Sequence, residues 1–115
     1  MDYTIRYIEY NGKRDDMVFD FPKGYELLSV FLSCEVSNFY EEIKKEIGSV
    51  LKGEVKKKTI AGNVCKAEID REKTRITDML TDAQEEQFCE IHTKDLYELI
   101  EVWNEKNREF KAERL

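Results

Sequence analysis

Hydrophobic and polar residues alternate along several short stretches of the chain, which predicts β-strands because successive side chains of a strand point to opposite faces. In two longer stretches the hydrophobic residues recur every three or four positions, the period of an amphipathic helix. The order β-β-α-β-β-β-β-α favours an α+β fold, with two helices on one face of an antiparallel sheet. We expect about five strands, at residues 3–10, 16–21, 65–69, 74–79 and 88–92, with residues 54–60 as a further edge-strand candidate, and helices at residues 24–52 and 93–110.

The first two strand stretches flank Asn11-Gly12, a dipeptide that favours a tight hairpin turn. A loop of those two residues alone would place polar side chains on the face that should be buried. Adding the next residue to the loop pairs Tyr7 with Met17 and Ile5 with Phe19, so that one face is apolar throughout. Because register decides which face each side chain occupies, we expect the three-residue loop.

A second hairpin is predicted in the middle of the chain, around a four-residue loop at residues 70–73. This loop would pair Ala67 with Ile76 on one face and Glu68 with Arg75 on the other. An apolar pair and a pair of opposite charges are both favourable across neighbouring strands. Their agreement supports the register.

The stretch at residues 24–52 allows two interpretations. Its hydrophobic residues have helical spacing, but residues 27–36 also alternate as in a strand. We expect a helix throughout, with a possible break between Ser33 and Ser37. If residues 27–36 form a strand instead, the helix begins at Asn38, which can cap it.

The last stretch joins a strand directly to a helix. The hydroxyl of Thr93 is placed to cap that helix, and Trp103 and Phe110 lie on its apolar side. We expect Trp103 to pack on the sheet against Cys89 or Ile91. Truncating a buried aromatic side chain costs about 3–5 kcal/mol, so this contact should hold the helix in place.

Length and composition point to a single domain, residues 1–115, that can bury one sizeable core. The longest apolar run is too short for a membrane span, and the first residues lack the basic and apolar regions of a signal peptide. Cys34, Cys65 and Cys89 are widely spaced in apolar patterns, which is typical of reduced thiols. We therefore expect a cytoplasmic protein.

The chain is acidic, with a net charge of −6. This charge argues against nucleic acid or an anionic membrane as the partner. Twelve acidic and four basic residues lie between Glu68 and Glu105, a balance of −8. Such a surface either keeps the protein soluble or attracts a basic protein partner. The candidate partner-binding residues are Asp15, Asp16, Asp78, Asp82, Glu85 and Glu86.

Residues with catalytic or metal-binding spacing are scarce. His92 is the one histidine, and on a strand its side chain would point away from that of Cys89, three residues earlier. The chain has neither a Cys-x-x-Cys pair nor a glycine-rich phosphate loop. We therefore expect no enzymatic activity, no metal site and no cofactor.

The run Cys89-Glu90-Ile91-His92-Thr93, followed by Leu99-Ile100-x-x-Trp103 in a small acidic α+β domain, resembles the immunity proteins of bacterial polymorphic and contact-dependent inhibition toxins. This resemblance implies a cytosolic antidote that binds and neutralises one cognate toxin, often a nuclease. The alternative is a non-enzymatic structural or regulatory domain of a bacterial or phage protein, acting as a homodimer through an exposed sheet. An acidic monomer would favour the antidote, and an obligate dimer would favour the alternative.

Overall fold

The computed structural model describes residues 1–82 and 84–113, and it confirms the α+β fold and the predicted order of elements. Two strands, β1 and β2, precede a long helical segment, and four strands, β3 to β6, lead into the final helix. The bounds are β1 Thr4–Tyr10, β2 Lys13–Asp20, α1 Glu26–Val30, a π-helical segment Phe31–Val36, α2 Ser37–Leu51, β3 Lys57–Ala61, β4 Cys65–Asp70, β5 Lys73–Asp78, β6 Phe88–His92 and α3 Thr93–Glu113.

The strands of the described residues form two sheets, and not the one sheet of about five strands that the sequence pattern predicts. β1 and β2 pair only with each other, and the larger sheet has the order β3-β4-β5-β6. The hairpin stays separate because its apolar side, with Met17 and Phe19 buried, packs against the helices. The edge-strand candidate at residues 54–60 is a strand, but it begins later, at Lys57, and lies at one edge of the larger sheet.

The first hairpin has the predicted register from Thr4 to Ile8, but a different register at its end and a different loop. Tyr7 pairs with Met17 and Ile5 with Phe19, as expected. The loop is nevertheless only Asn11-Gly12, with φ angles of 52° and 75°. The register shifts between Ile8 and Glu9, which leaves Asp15 as an extra, bulged residue on β2. A two-residue turn and an apolar face therefore coexist, because the bulge corrects the register that the short loop would impose.

The second hairpin confirms the prediction. Ala67 pairs with Ile76, and Glu68 pairs with Arg75. The side chains of Ala67, Ile76 and Cys89 on one face are buried beneath the helices, whereas Glu68 and Glu90 on the other face are exposed. The larger sheet is thus covered on one side and open to solvent on the other.

The segment at residues 24–52 is helical, so the strand interpretation of residues 27–36 is wrong. It is not uniform, however: a π-helical turn, Phe31–Val36, joins α1 to α2, close to the predicted break between Ser33 and Ser37. Phe39, just beyond it, has φ −133° and ψ 34°, which is not helical. Leu32 and Val36 before these irregularities and Ile43 and Ile47 after them are all buried.

The final helix, α3, completes the core. Trp103 and Phe110 are buried as predicted, and the ring of Phe110 lies 5.9 Å from that of Tyr7 on β1. The Thr93 hydroxyl, expected to cap this helix, donates to the carbonyl of Asp70 at 2.6 Å. It therefore fixes the start of α3 to the β4–β5 turn. None of the described helices is long and apolar enough to span a bilayer.

Candidate partner-binding surfaces

Four of the six candidate acidic residues lie at the connection between β5 and β6. This connection, here called the acidic loop, comprises Asp78–Asp82 and residues 84–86. Asp82 and Glu85 are exposed, and among the described residues their carboxylates make no hydrogen bond or ion pair. These two charges are therefore available to a partner.

The other two acidic residues of the loop already have partners. The Asp78 carboxylate accepts a hydrogen bond from the backbone N–H of Leu80 at 2.8 Å and so shapes the loop. The Glu86 carboxylate lies 3.3 Å from the Arg75 guanidinium and 3.4 Å from the Thr77 hydroxyl. Both residues position the loop. Arg75 offsets the charge of Glu86, whereas the charge of Asp78 adds to the negative potential of the loop.

Asp15 and Asp16 lie on a different sheet from the acidic loop. Asp15 is the bulged residue of β2, and the Asp16 carboxylate accepts from the backbone N–H of Met17 at 2.8 Å. Both are exposed, beside the partly exposed apolar side chain of Ile8. The structure therefore divides the six candidate residues between the β1–β2 hairpin and the acidic loop of the larger sheet.

Large apolar side chains are exposed next to the acidic loop. Leu80 is 66% exposed and Phe88 44%, and the Arg75 guanidinium lies 3.6 Å from the centre of the Phe88 ring. Interfaces between proteins combine apolar and aromatic anchors with a polar rim. The loop and its surroundings have this composition.

Glu35 is a buried carboxylate on the π-helical segment, and the motifs and charge clusters of the sequence do not point to it. Its side chain is 1% exposed, yet it accepts hydrogen bonds from the backbone N–H groups of Asn63, Val64 and Cys65 at 2.9, 2.8 and 2.7 Å. A Cβ added at Gly62 would overlap the same carboxylate. Glu35 and Gly62 thus hold the β3–β4 turn against the helix. The one indication in the sequence is an acid among the apolar residues of that helix.

A groove of about 200 Å³ lies between α2 and β3, beside this turn. We call it the α2–β3 groove. Phe31, Ile43 and Ile60 contribute apolar lining, and Phe39, which is 39% exposed, stands at its side. Two carboxylates, Glu42 and Glu46, lie on the helical rim, and Glu46 pairs with Lys58 at 3.3 Å.

The cysteines have the properties of core residues. Burial raises the pKa of the Cys65 thiol to about 12, with a further contribution from the charge of Glu35, and burial raises that of Cys89 to about 11. Both thiols are therefore neutral near pH 7 and poor nucleophiles. His92 is exposed on the opposite face from Cys89, as predicted. Across residues 1–82 and 84–113, no three His, Cys, Asp or Glu side chains gather where they could hold a metal ion.

These features, an acidic α+β domain with exposed acidic and apolar surfaces, are typical of a protein-binding domain. Comparison with known proteins agrees. The chain is 40% identical over 101 residues to an immunity protein of Bacillus cereus, and the alignment covers 88% of this chain and 84% of that protein. The chain therefore belongs to this family of immunity proteins, which confirms the resemblance. No family model matches the chain. No solved structure matches it either.

Proposed function

We propose that this protein is an antidote that neutralises a cognate toxin by binding it directly, without catalysis of its own. Its relationship to the Bacillus cereus immunity protein supports the antidote role. The observation that supports direct binding is the pair of exposed carboxylates, Asp82 and Glu85, beside the exposed side chain of Leu80. Such a surface can attract a partner by its charge and then hold it by apolar contact.

We further propose that the toxin is basic, and that it is a nuclease. A nuclease needs cationic side chains to hold its anionic substrate, and an acidic antidote complements that same surface. The net charge of −6 and the unpaired carboxylates of the acidic loop favour this pairing. In this proposal the protein acts in the cytoplasm, where its thiols stay reduced and the toxin would otherwise reach nucleic acid.

The test is neutralisation of a purified toxin. Candidates are basic toxin-like domains encoded next to this chain, or proteins that it captures from its source organism. We expect growth of toxin-producing cells to be restored by co-expression of the chain, and a stable one-to-one complex of the purified proteins. Toxin that stays active in the presence of excess folded chain would contradict the proposal.

A separate measurement tests whether the toxin is a nuclease. Cleavage of nucleic acid by the candidate toxin should fall in proportion to added chain and stop at one equivalent. A toxin with a different activity, neutralised with the same stoichiometry, would contradict the assignment as a nuclease while supporting the antidote role.

A further inference from the structure

We propose that the α2–β3 groove and the open edge of β3 form a second docking surface, on which an extended segment of the toxin adds to the sheet as a fifth strand. This inference rests on the proposed antidote function and names a mode of contact for it. The occupant is a segment that carries a large apolar side chain and, two residues away and therefore on the same face of the strand, a basic one. Four features of the groove and the edge support this occupant.

The first feature is the free backbone edge of β3. This strand is at the end of the larger sheet, so only one of its sides is paired, with β4. The backbone N–H of Gly62 donates to the carbonyl of Cys65 at 2.9 Å. Since such bonds alternate along an antiparallel pair, Ile60 also points its backbone groups toward β4. Those of Thr59 and Ala61 therefore point outward, where an added strand can bind them.

The second feature is the incomplete protection of this edge. Lysine side chains commonly discourage pairing at exposed edges, and Lys57 and Lys58 lie at the first half of β3. The second half, Thr59 to Ala61, carries small or apolar side chains. Lys58 is drawn toward Glu46 on the helix, at 3.3 Å. The half of the edge that borders the groove is thus left open.

The third feature is the size and lining of the groove. Its volume is about 200 Å³, and an apolar cavity of about 150 Å³ is enough to bind benzene. One aromatic or branched aliphatic side chain therefore fits. Phe39, which leaves the helical conformation and is 39% exposed, is positioned to cover that side chain. A strand added to β3 would direct alternate side chains toward this side of the sheet.

The fourth feature is the charge on the rim. The Glu42 carboxylate is exposed, and it has no hydrogen-bond or ion-pair partner within the part of the chain that the structure describes. Glu46, by contrast, is already neutralised by Lys58. The rim therefore offers one unpaired negative charge beside the apolar lining. A lysine or arginine two residues from the inserted side chain, on the same face of the added strand, would complement it.

The groove is also held in shape. A carboxylate is costly to bury unless it is fully hydrogen-bonded, and Glu35 meets that condition through three backbone N–H groups of the β3–β4 turn. The turn carries Gly62, which lines the groove. A preformed site loses less conformational entropy on binding, so this rigidity favours docking of an incoming strand.

The test uses the full chain and the toxin identified by neutralisation. Ala61→Pro removes one outward N–H, which the pairing with β4 does not use, and Ala61→Ser at the same position retains it. We expect Ala61→Pro to weaken toxin binding about tenfold or more, because one backbone hydrogen bond to the added strand is lost. Ala61→Ser should bind the toxin like the parent chain. Phe39→Ala should also weaken binding. Thermal unfolding of each variant checks that it is folded.

Amide hydrogen exchange of the unmutated chain gives an independent measurement. The amides of Thr59 and Ala61 should exchange quickly in the free chain and slowly in the complex. The amide of Ile60, already bonded to β4, should be protected in both states and is the internal control. This experiment needs no variant to fold.

The outcomes separate the two proposals. A toxin complex in which Thr59 and Ala61 remain unprotected, or to which Ala61→Pro binds normally, would overturn the docking mode and leave the antidote function intact. Dimerisation of the free chain that protects the same amides would overturn it also, because a second copy would then be the occupant. Failure of the unmutated chain to bind any toxin would overturn both proposals.

Discussion

Glu35 shows how much a single side chain contributes to this fold. It is an acid within the core, and its position on the π-helical segment brings its carboxylate to three successive backbone N–H groups, those of Asn63, Val64 and Cys65. Without it, the N–H group of Cys65, the buried residue of the three, would lack a partner, which costs about 1–3 kcal/mol. The carboxylate, which only accepts hydrogen bonds, suits a cluster of donors better than any neutral side chain.

We predict that Glu35→Gln destabilises the protein by about 1–3 kcal/mol, because the amide nitrogen would face an N–H group that it cannot accept from. Glu42→Gln is the matched control, since Glu42 is exposed and its change should cost less than about 0.5 kcal/mol. Urea unfolding of both variants measures the difference. Equal stability of the two would show that the Glu35 carboxylate does not hold the turn.

The buried cysteines predict a dependence of stability on pH. Burial raises the pKa of Cys65 from 9.0 to about 12 in the folded chain. As pH rises above 9, the unfolded chain loses this proton first, so the free energy of unfolding falls through the window from 9 to about 12. In Cys65→Ala this fall should be smaller, by up to about 1.4 kcal/mol at pH 10. Cys34→Ala, at a less buried thiol, is the comparison.

The measurement is urea unfolding at pH 8 and pH 10 under reducing conditions. For each protein we take the difference in unfolding free energy between the two pH values. This difference cancels the effect of Cys65→Ala on packing, which is the same at both pH values. If that change is as large in Cys65→Ala as in the parent chain, Cys65 titrates normally in the folded state, and its burial is contradicted.

At the scale of the elements, the helix α3 joins the separate parts of the fold. It contacts the β1–β2 hairpin, the larger sheet and the helical segment that contains α2. Trp103 lies buried on its inner side, and its indole N–H has no hydrogen-bond partner among the described residues. The side chain therefore stabilises the protein through its apolar contacts.

We predict that Trp103→Ala costs about 3–5 kcal/mol, whereas Val102→Ala, at the neighbouring exposed position, changes stability by less than about 1 kcal/mol. Trp103→Phe should cost less than Trp103→Ala, since it retains an aromatic ring and loses no hydrogen bond. Chemical unfolding provides the three values. A loss below about 1 kcal/mol for Trp103→Ala would contradict its place in the core.

At the scale of the whole molecule, net charge and its distribution govern association. The acidic residues are concentrated between Glu68 and Glu105, where the balance is −8. Charges that lie outside close contacts mainly increase the rate of association and make it sensitive to salt. The acidic loop should therefore affect how fast the toxin binds more than how long it stays bound.

We predict that reversing Asp82, Glu85 and Glu86 to lysine slows association with the toxin and reduces its dependence on salt. Asp82→Lys with Glu85→Lys is the cleaner variant, because Glu86 also holds Arg75. Glu98→Lys with Glu105→Lys, on the exposed side of α3, makes the same change in net charge at another site. Folding should change by less than about 1 kcal/mol for each charge.

Stopped-flow association at low and high salt distinguishes these variants. The loop pair should slow association more than the helix pair does. Equal effects would indicate that only net charge matters, and an unchanged rate for the loop pair would remove the acidic loop from the binding surface.

The sequence determined the class of fold, the order of its elements, the register of the second hairpin and most of the register of the first. Alternation and helical spacing were sufficient, because each depends on neighbours a few residues away. The pairing of Tyr7 with Met17 followed from the need for one apolar face, and the burial of Trp103 from the apolar side of its helix. The acidic composition and the run from Cys89 to Thr93 also led to the family of immunity proteins, which the comparison confirmed.

Only the tertiary structure decided how these elements are arranged. The bulge at Asp15 and the separation of the hairpin from the larger sheet both depend on more than the local pattern, since each reflects packing between distant elements. The role of Glu35 depends on a turn 28 to 30 residues away along the chain. Local patterns predict which face of an element is buried, but they do not predict which other element packs on that face. The packing partner depends on the shape of the assembled core and on the hydrogen-bonding groups that it leaves free.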